Sequence, residues 1–246
     1  LGRVYSIKAY EIPDASRVAR GINIVNLIQI NSDEKVQAVL CLENLNEEGY
    51  IFRATKFGLI KKTAISEFSK IRKSGLIAIG IRDKDELLNV KQTRGDANIV
   101  MITSDGYAII FNEKNIRAMG RSASGVKAIT LRSGDSLIAL DIATQGEDLM
   151  IVSENGYGKR TDLKQYPIQN RGGKGIKTYK VTEKTGKVSC ASVVNQNNDI
   201  MLVNSNGVGI RIKTEDISRI GRSSLGVKLM KTNVSEKVIA VGKIKD

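Results

Sequence analysis

The chain has 246 residues, 41% of them hydrophobic, with 39 Lys and Arg against 26 Asp and Glu for a net charge of +13. That apolar share is enough for a sizeable core and excludes a disordered tail. Histidine is absent, which removes the usual general base, the commonest metal ligand and the ordinary catalytic triad.

Taken in chain order, the elements repeat. Residues 2–10, GRVYSIKAY, are a turn glycine and an alternating strand with no strand before them. Fuller copies follow at Ile51 to Lys62 (IFRATKFGLIKK), Val100 to Phe111 (VMITSDGYAIIF), Met150 to Thr161 (MIVSENGYGKRT) and Met201 to Ile212 (MLVNSNGVGIRI). Each is an apolar strand, a polar turn ending in Gly, and a second strand. The turn glycines Gly58, Gly106, Gly156 and Gly207 lie 48, 50 and 51 residues apart. A second series, Gly21, Gly75, Gly125, Gly175 and Gly226, has spacings of 54, 50, 50 and 51. After it come strand patterns such as ELLNVKQT, SLIALDIA and KVIAVGKI. Two landmarks holding one period make a repeat architecture.

The local chemistry is that of β-structure. SDG, ENG and SNG supply the positive-φ positions of tight hairpins, and LIALDIA alternates with period two. EFSKIRKSG and EKNIRAMG allow a turn of helix at most. Four-stranded units of about fifty residues are the blades of a β-propeller. The expected fold class is therefore all-β, one domain over 1–246, with repeats at 1–49, 50–97, 98–147, 148–198 and 199–246. The first blade is expected to be incomplete, with its missing part upstream. An open β-solenoid is the alternative architecture.

The positive excess points to a polyanion, nucleic acid before an anionic membrane, and its placement sharpens that. The loops before the second glycine read SRVARG, SKIRKSG, RAMGRSASG, QNRGGKG and SRIGRSSLG, all basic and free of acids. Acidic residues gather instead in NLNEEG, RDKDE and QGED. In a propeller, one phase of the repeat occupies one height, so the basic loops predict a positive belt that neutralises phosphates with little sequence preference. Arg17, Arg121, Arg171 and Arg222 each stand four residues before the glycine, while in the second copy Ile71 holds that place with Arg72 and Lys73 beside it. The candidate DNA contacts are these basic residues with Arg20, Lys70, Arg117, Lys159, Arg160, Lys174, Lys177 and Arg219. NRGGKG, with its consecutive glycines, is a candidate backbone anion cradle.

Catalysis has no foothold. No carboxylate cluster has metal-ligand spacing, Asp83, Asp85 and Glu86 read as a solvated turn, and no cofactor motif is present. Cys41 and Cys190 sit in the apolar runs AVLCL and VSCASVV and are expected to be buried free thiols. No apolar stretch reaches the ~18 residues of a membrane span and no signal peptide opens the chain, which predicts a soluble, cytoplasmic protein.

GRVYSIKAYEIP, ENGYGKRT, YPIQNRGGKGIKT and IRAMGRSASGVKAI resemble the C-terminal domain of the bacterial DNA gyrase A subunit, over essentially the whole chain and in order. The resemblance implies a six-bladed β-pinwheel whose blades exchange strands, wrapping double-stranded DNA around its outer edge in support of ATP-dependent negative supercoiling. It implies as partners the remainder of the gyrase A protein and, in the holoenzyme, the gyrase B protein. It also implies a location at the nucleoid, and a catalytic tyrosine and ATPase outside these residues. The family's signature glycine-arginine box belongs to a first blade that precedes this stretch, and NRGGKG sits in a later repeat. The C-terminal domain of a topoisomerase IV ParC-type subunit is similar and stays an alternative. Two rivals of other classes are a protein-interaction propeller meeting an acidic partner and a propeller enzyme with polar residues grouped in its central channel.

Overall fold

Hairpins closed by glycines set the architecture. The computed structural model describes residues 2–16, 18–31, 34–43 and 48–244, and apart from short 3-10 turns their regular structure is all extended. In the first repeat the described residues form one strand, β1 (Arg3–Val4). The second repeat holds β2 (Tyr50–Thr55), β3 (Leu59–Ala64), β4 (Leu76–Ile77) and β5 (Leu87–Thr93). The third holds β6 (Asn98–Thr103), β7 (Tyr107–Asn112), β8 (Val126–Lys127) and β9 (Leu137–Ile142). The fourth holds β10 (Asp148–Ser153), β11 (Tyr157–Asp162), β12 (Ile176–Lys177) and β13 (Val188–Val194). The fifth holds β14 (Asp199–Asn204), β15 (Gly209–Lys213), β16 (Val227–Lys228) and β17 (Val238–Ile244).

Sheets do not coincide with repeats. Their strand orders are β5-β2-β3-β8, β9-β6-β7-β12, β13-β10-β11-β16 and β17-β14-β15, with a further pair β1-β4. In four of the five sheets the outermost strand (β4, β8, β12 or β16) is thus lent by the following repeat, and in the last sheet β15 stands outermost. At the opposite ends of the sheets, β5 touches β9, β9 touches β13 and β13 touches β17, so these strands line the axis. The result is a strand-exchanged propeller whose borrowed strands form the rim.

The two glycine series are the two halves of each exchange joint. The carbonyl of turn residue Gly156 accepts N–H bonds from Leu229 (2.8 Å) and Met230 (3.2 Å) of the next repeat, as Gly106 does from Thr178 (2.8 Å) and Tyr179 (3.1 Å). Gly156 has φ 75°, and a Cβ there would lie 2.2 Å from the Met230 carbonyl oxygen. On the other side, a Cβ on Gly226 would lie 2.4 Å from the Gly158 oxygen. Both chains must come closer than a side chain permits. Each hairpin is also capped by the last polar residue of its first strand. Thr55, Thr103, Ser153 and Asn204 accept from the amides of Leu59, Tyr107, Tyr157 and Val208.

The core lies between successive sheets. Phe52, Ile60, Met101, Ile109 and Phe111 fill one interface, Val100, Ile110, Leu149, Ile151 and Tyr179 the next, and Met150, Val152, Ile200, Leu202 and Met230 the last. Each such side chain contributes about 1.5–3 kcal/mol of burial. With 4% aromatic residues, aliphatic interdigitation carries most of it.

Two expectations fail here. Cys190 is buried, but Cys41 is exposed, and its neighbour Val39 is 86% exposed. Residues 36–42 correspond to the axial strands β5, β9, β13 and β17, each of which pairs with the first strand of its own repeat. Among the described residues of the first repeat no such strand stands beside residues 36–42, and there this apolar pattern is not in a sheet. Asp85 is also buried rather than solvated, because it caps the turn by accepting from the amides of Phe57 (3.0 Å) and Glu86 (2.8 Å).

Candidate nucleic-acid interface

The basic loops sit on the rim because each joins the second hairpin strand to the strand it lends away. Those of the third, fourth and fifth repeats are anchored on the preceding repeat by one recurring backbone bond: Met119 N–H to Lys62 O (2.8 Å), Gln169 to Ile110 (2.7 Å) and Ile220 to Arg160 (2.9 Å). Equivalent loops therefore occupy equivalent places on successive blades.

The loop arginines lean back across the joint. Arg121 Nη1 donates to Glu67 O (3.1 Å), and Arg171 donates from Nε to Asn115 O and from Nη1 to Lys127 O, both 3.1 Å. Arg222 packs over the Tyr166 ring at 5.9 Å. A guanidinium has five donors, so the one or two carbonyl bonds that orient Arg121 and Arg171 leave N–H groups unspent. Arg171 shares a surface groove with Lys114 and Arg117, floored by Ile116, Met119 and Val126. Arg20, Lys70, Arg72, Lys73, Arg117, Lys174 and Lys177 are exposed, whereas Arg121 and Arg222 are half-buried. Arg17 lies outside the described residues.

Three sequence-predicted positions change meaning. Lys159 is fully buried, its ammonium donating to Gly221 O (2.7 Å), to Ser224 Oγ (3.0 Å) and to Arg222 O. Arg160 is 9% exposed, bound to Asp148 Oδ2 (3.0 Å) and Ile217 O (2.8 Å). Neither reaches a phosphate on the surface, since both lie on strand β11 under the arriving loop. Arg219 is accessible, but Asp148 and Asp162 hold it at 2.8 and 3.0 Å and offset its charge.

A second basic row escaped the sequence reading in part. Lys127, Lys177 and Lys228 each occupy the second place of a lent strand, paired with Leu59, Tyr107 and Tyr157, and all are exposed. Two flank rim tyrosines, Lys228 at 4.7 Å from the Tyr157 ring and Lys177 at 6.0 Å from the Tyr107 ring. Arg132 stacks on Tyr107 as well, at 3.3 Å. The signal is the recurrent GVK, GIK, GVK that opens at the second glycine, and the sequence candidates include Lys177 of these three lysines.

A carboxylate on the axial strand β9 ties its neighbours together. Asp141 accepts from Ser192 Oγ (2.9 Å) and Val193 N (2.8 Å) and pairs with Lys91 (3.0 Å), stapling β9 to β13 and β5. That carboxylate is fully engaged in joining three blades. Among the described residues no group of carboxylates or cysteines can hold a metal ion.

These features define a strand-exchanged β-propeller with basic residues at one phase of its rim. The chain belongs to the family described as DNA gyrase C-terminal domain, beta-propeller, whose model matches residues 1–43, 49–94, 97–144, 147–195 and 198–245. The DNA gyrase A protein of Clostridium acetobutylicum is 48% identical over 243 residues, covering 99% of this chain and 29% of that protein. The chain thus spans less than a third of the curated relatives it matches. Among solved structures, a DNA gyrase A C-terminal domain superposes with a TM-score of 0.87 at 28% identity, covering 99% of this chain and 80% of that one. The C-terminal domain of a DNA topoisomerase IV gives a TM-score of 0.91 at 25% identity, covering 99% and 76%.

Proposed function

We propose that this chain is a single non-catalytic domain that binds double-stranded DNA without sequence preference and wraps it around its rim. It would act with the rest of a gyrase A protein and with gyrase B, supporting ATP-dependent negative supercoiling at the nucleoid. The observation that carries this reading is the phase-locked placement of Arg121, Arg171 and Arg222 beside the row Lys127, Lys177 and Lys228. Phosphates spaced along a bent duplex are the polyanion that such a row matches, and counterion release supplies the affinity. The close superposition on a topoisomerase IV domain keeps that sister enzyme as the second reading.

The same reading takes the ring as six-bladed. Among the described residues β15 has no strand on its outer side. Ile22, Ile24 and Val25, which correspond to the joint-forming residues of later repeats, are 53%, 39% and 45% exposed. A sixth copy seated between these two surfaces would cover both.

The test is binding to random-sequence duplexes of increasing length across a salt series. Affinity should rise with length to a plateau, and Arg171→Ala should lower the salt slope by about one. Weak binding with no length dependence would overturn the wrapping reading and favour an acidic protein partner.

A further inference from the structure

Two lysines buried beneath the rim are not accounted for by phosphate contact. Lys61 and Lys159 occupy the same place, two residues past the first position of β3 and β11, and both are fully buried. Lys61 Nζ donates to Ala78 O (2.9 Å) and to Arg121 O. Lys159 Nζ donates to Gly221 O, Arg222 O and Ser224 Oγ. Neither ammonium is paired with a carboxylate. Each instead bonds a main-chain carbonyl of the next repeat's basic loop, and in both cases that carbonyl belongs to the loop arginine itself.

The third repeat provides the contrast. Ile109 fills the equivalent place beneath the NRGGKG loop, and neutral groups hold that loop instead. Gly172 N–H donates to Ala128 O (2.6 Å), and Thr130 Oγ1 donates to Gly172 O (2.7 Å). The rim therefore has two kinds of basic loop, one seated on an ammonium and one on uncharged donors.

We propose that Lys61 and Lys159 are positioning residues for the DNA-facing arginines of the following repeat, fixing the main chain at Arg121 and Arg222 so that their guanidinium groups face the phosphate track. This deepens, and rests on, the DNA-wrapping reading. A charged donor binds carbonyls roughly twice as strongly as a neutral one. The free energy spent in burying it is recovered as order in a glycine- and serine-rich loop.

Protonation makes the idea testable. Burial, then the charge of Arg222, lowers Lys159 from 10.5 to about 8. Burial, then Arg53, lowers Lys61 to about 8, with Glu67 opposing. The Tyr179 ring faces Lys159 at 5.8 Å and carries no charge in this range. A phosphate arriving at Arg222 offsets the charge that disfavours protonated Lys159, so DNA binding takes up a proton once the pH exceeds that value. Affinity must then fall as pH rises. Stability must move the other way, because the unfolded chain binds more protons than the folded one above about pH 8. A lysine with no bearing on DNA binding gives the stability trend alone.

The experiment measures binding of a fluorescein-labelled random-sequence duplex, and urea stability, between about pH 7 and about pH 9. A Cys41→Ser background removes the exposed thiol, histidine is absent, and the α-amino group, which also titrates here, is common to every variant. Wild-type Kd should rise about three- to tenfold across the window while the urea midpoint does not fall. Lys61→Met/Lys159→Met should bind at about pH 7 as weakly as Arg121→Ala/Arg222→Ala, and both should show little pH dependence. A folded double-Met variant that binds like wild type, or a flat wild-type profile, overturns the proposal. Should the double-Met variant fail to fold, the wild-type profile against that of Arg121→Ala/Arg222→Ala still decides. Should wild type bind no DNA at all, the DNA reading fails instead. Amide exchange at residues 221–225 in Lys159→Met without DNA then tests the latch by itself, with unchanged protection counting against it.

Discussion

The fourth and fifth hairpins carry nearly the same instruction, MIVSENGYGKRT and MLVNSNGVGIRI, and end in different environments. In β11 the residues from Gly158 to Thr161 are buried, whereas β15 alternates between exposed and half-buried. The difference is β16, which the fifth repeat lends to β11 and which has no equivalent on β15 among the described residues. Burial in this fold is conferred by the next repeat along the chain. Similar local motifs therefore have unequal energetic weight, and each such pair is an opportunity to test that claim.

The sharpest pair is an acid–arginine bridge across each hairpin. Asp148 and Arg160 are 3% and 10% exposed in their side chains, and Asp199 and Arg211 are 20% and 56% exposed. Asp148→Ala leaves Arg160 buried beside Ile217 O without its counter-charge and should cost about 3–5 kcal/mol. Asp199→Ala removes a bridge open to water and should cost less than about 1 kcal/mol. Urea midpoints at constant m-value measure both. Equal losses would mean that the arriving loop does not set the local dielectric.

The turn glycines form the next pair. Gly156 and Gly207 have φ of 75° and 78°, so alanine meets the same backbone penalty of about 1–2 kcal/mol at each. A Cβ at Gly156 also meets the Met230 carbonyl at 2.2 Å, and at Gly207 it meets nothing within 4 Å. Gly156→Ala should lose about 3 kcal/mol in all, with Gly207→Ala showing only the backbone part. If the two alanine variants melt together, the joint gives way more easily than its geometry implies.

These pairs also show what could be read from sequence. Glycine spacing revealed the repeat, the hairpins and the place of the basic loops, because those features depend on short-range turn chemistry. Which strand completes which sheet was implied by family resemblance alone, since β8, β12 and β16 are two residues long and leave no periodic trace. Residues 36–42 misled for the same reason: the apolar pattern is local, but a strand needs a partner. At the candidate interface, Arg171 and Lys174 were legible from charge in a glycine-rich loop. Lys159 and Arg160 look like surface cations in GYGKRT, and nothing in that string announces the loop that covers them about sixty residues later. Cation identity is written locally; cation exposure is decided across the joint.

The smallest expected effect compares position 159 with position 210, its counterpart in the fifth repeat, where Ile210 stands. Burial lowers Lys159 from 10.5 to about 8, so above that pH the folded chain sheds a proton that the unfolded chain keeps. Stability should then rise with pH by about 1 kcal/mol per unit for each such lysine, and be flat in this respect below about pH 8. Lys61 contributes a second, equal share. Lys159→Met should halve the slope measured by urea titration between about pH 8 and about pH 9, while Ile210→Val should leave it unchanged. A slope of zero, or one that Lys159→Met does not alter, would show that the ammonium is solvated in solution. The loop of the fifth repeat would then sit no more firmly on β11 than the open edge of β15 does on water.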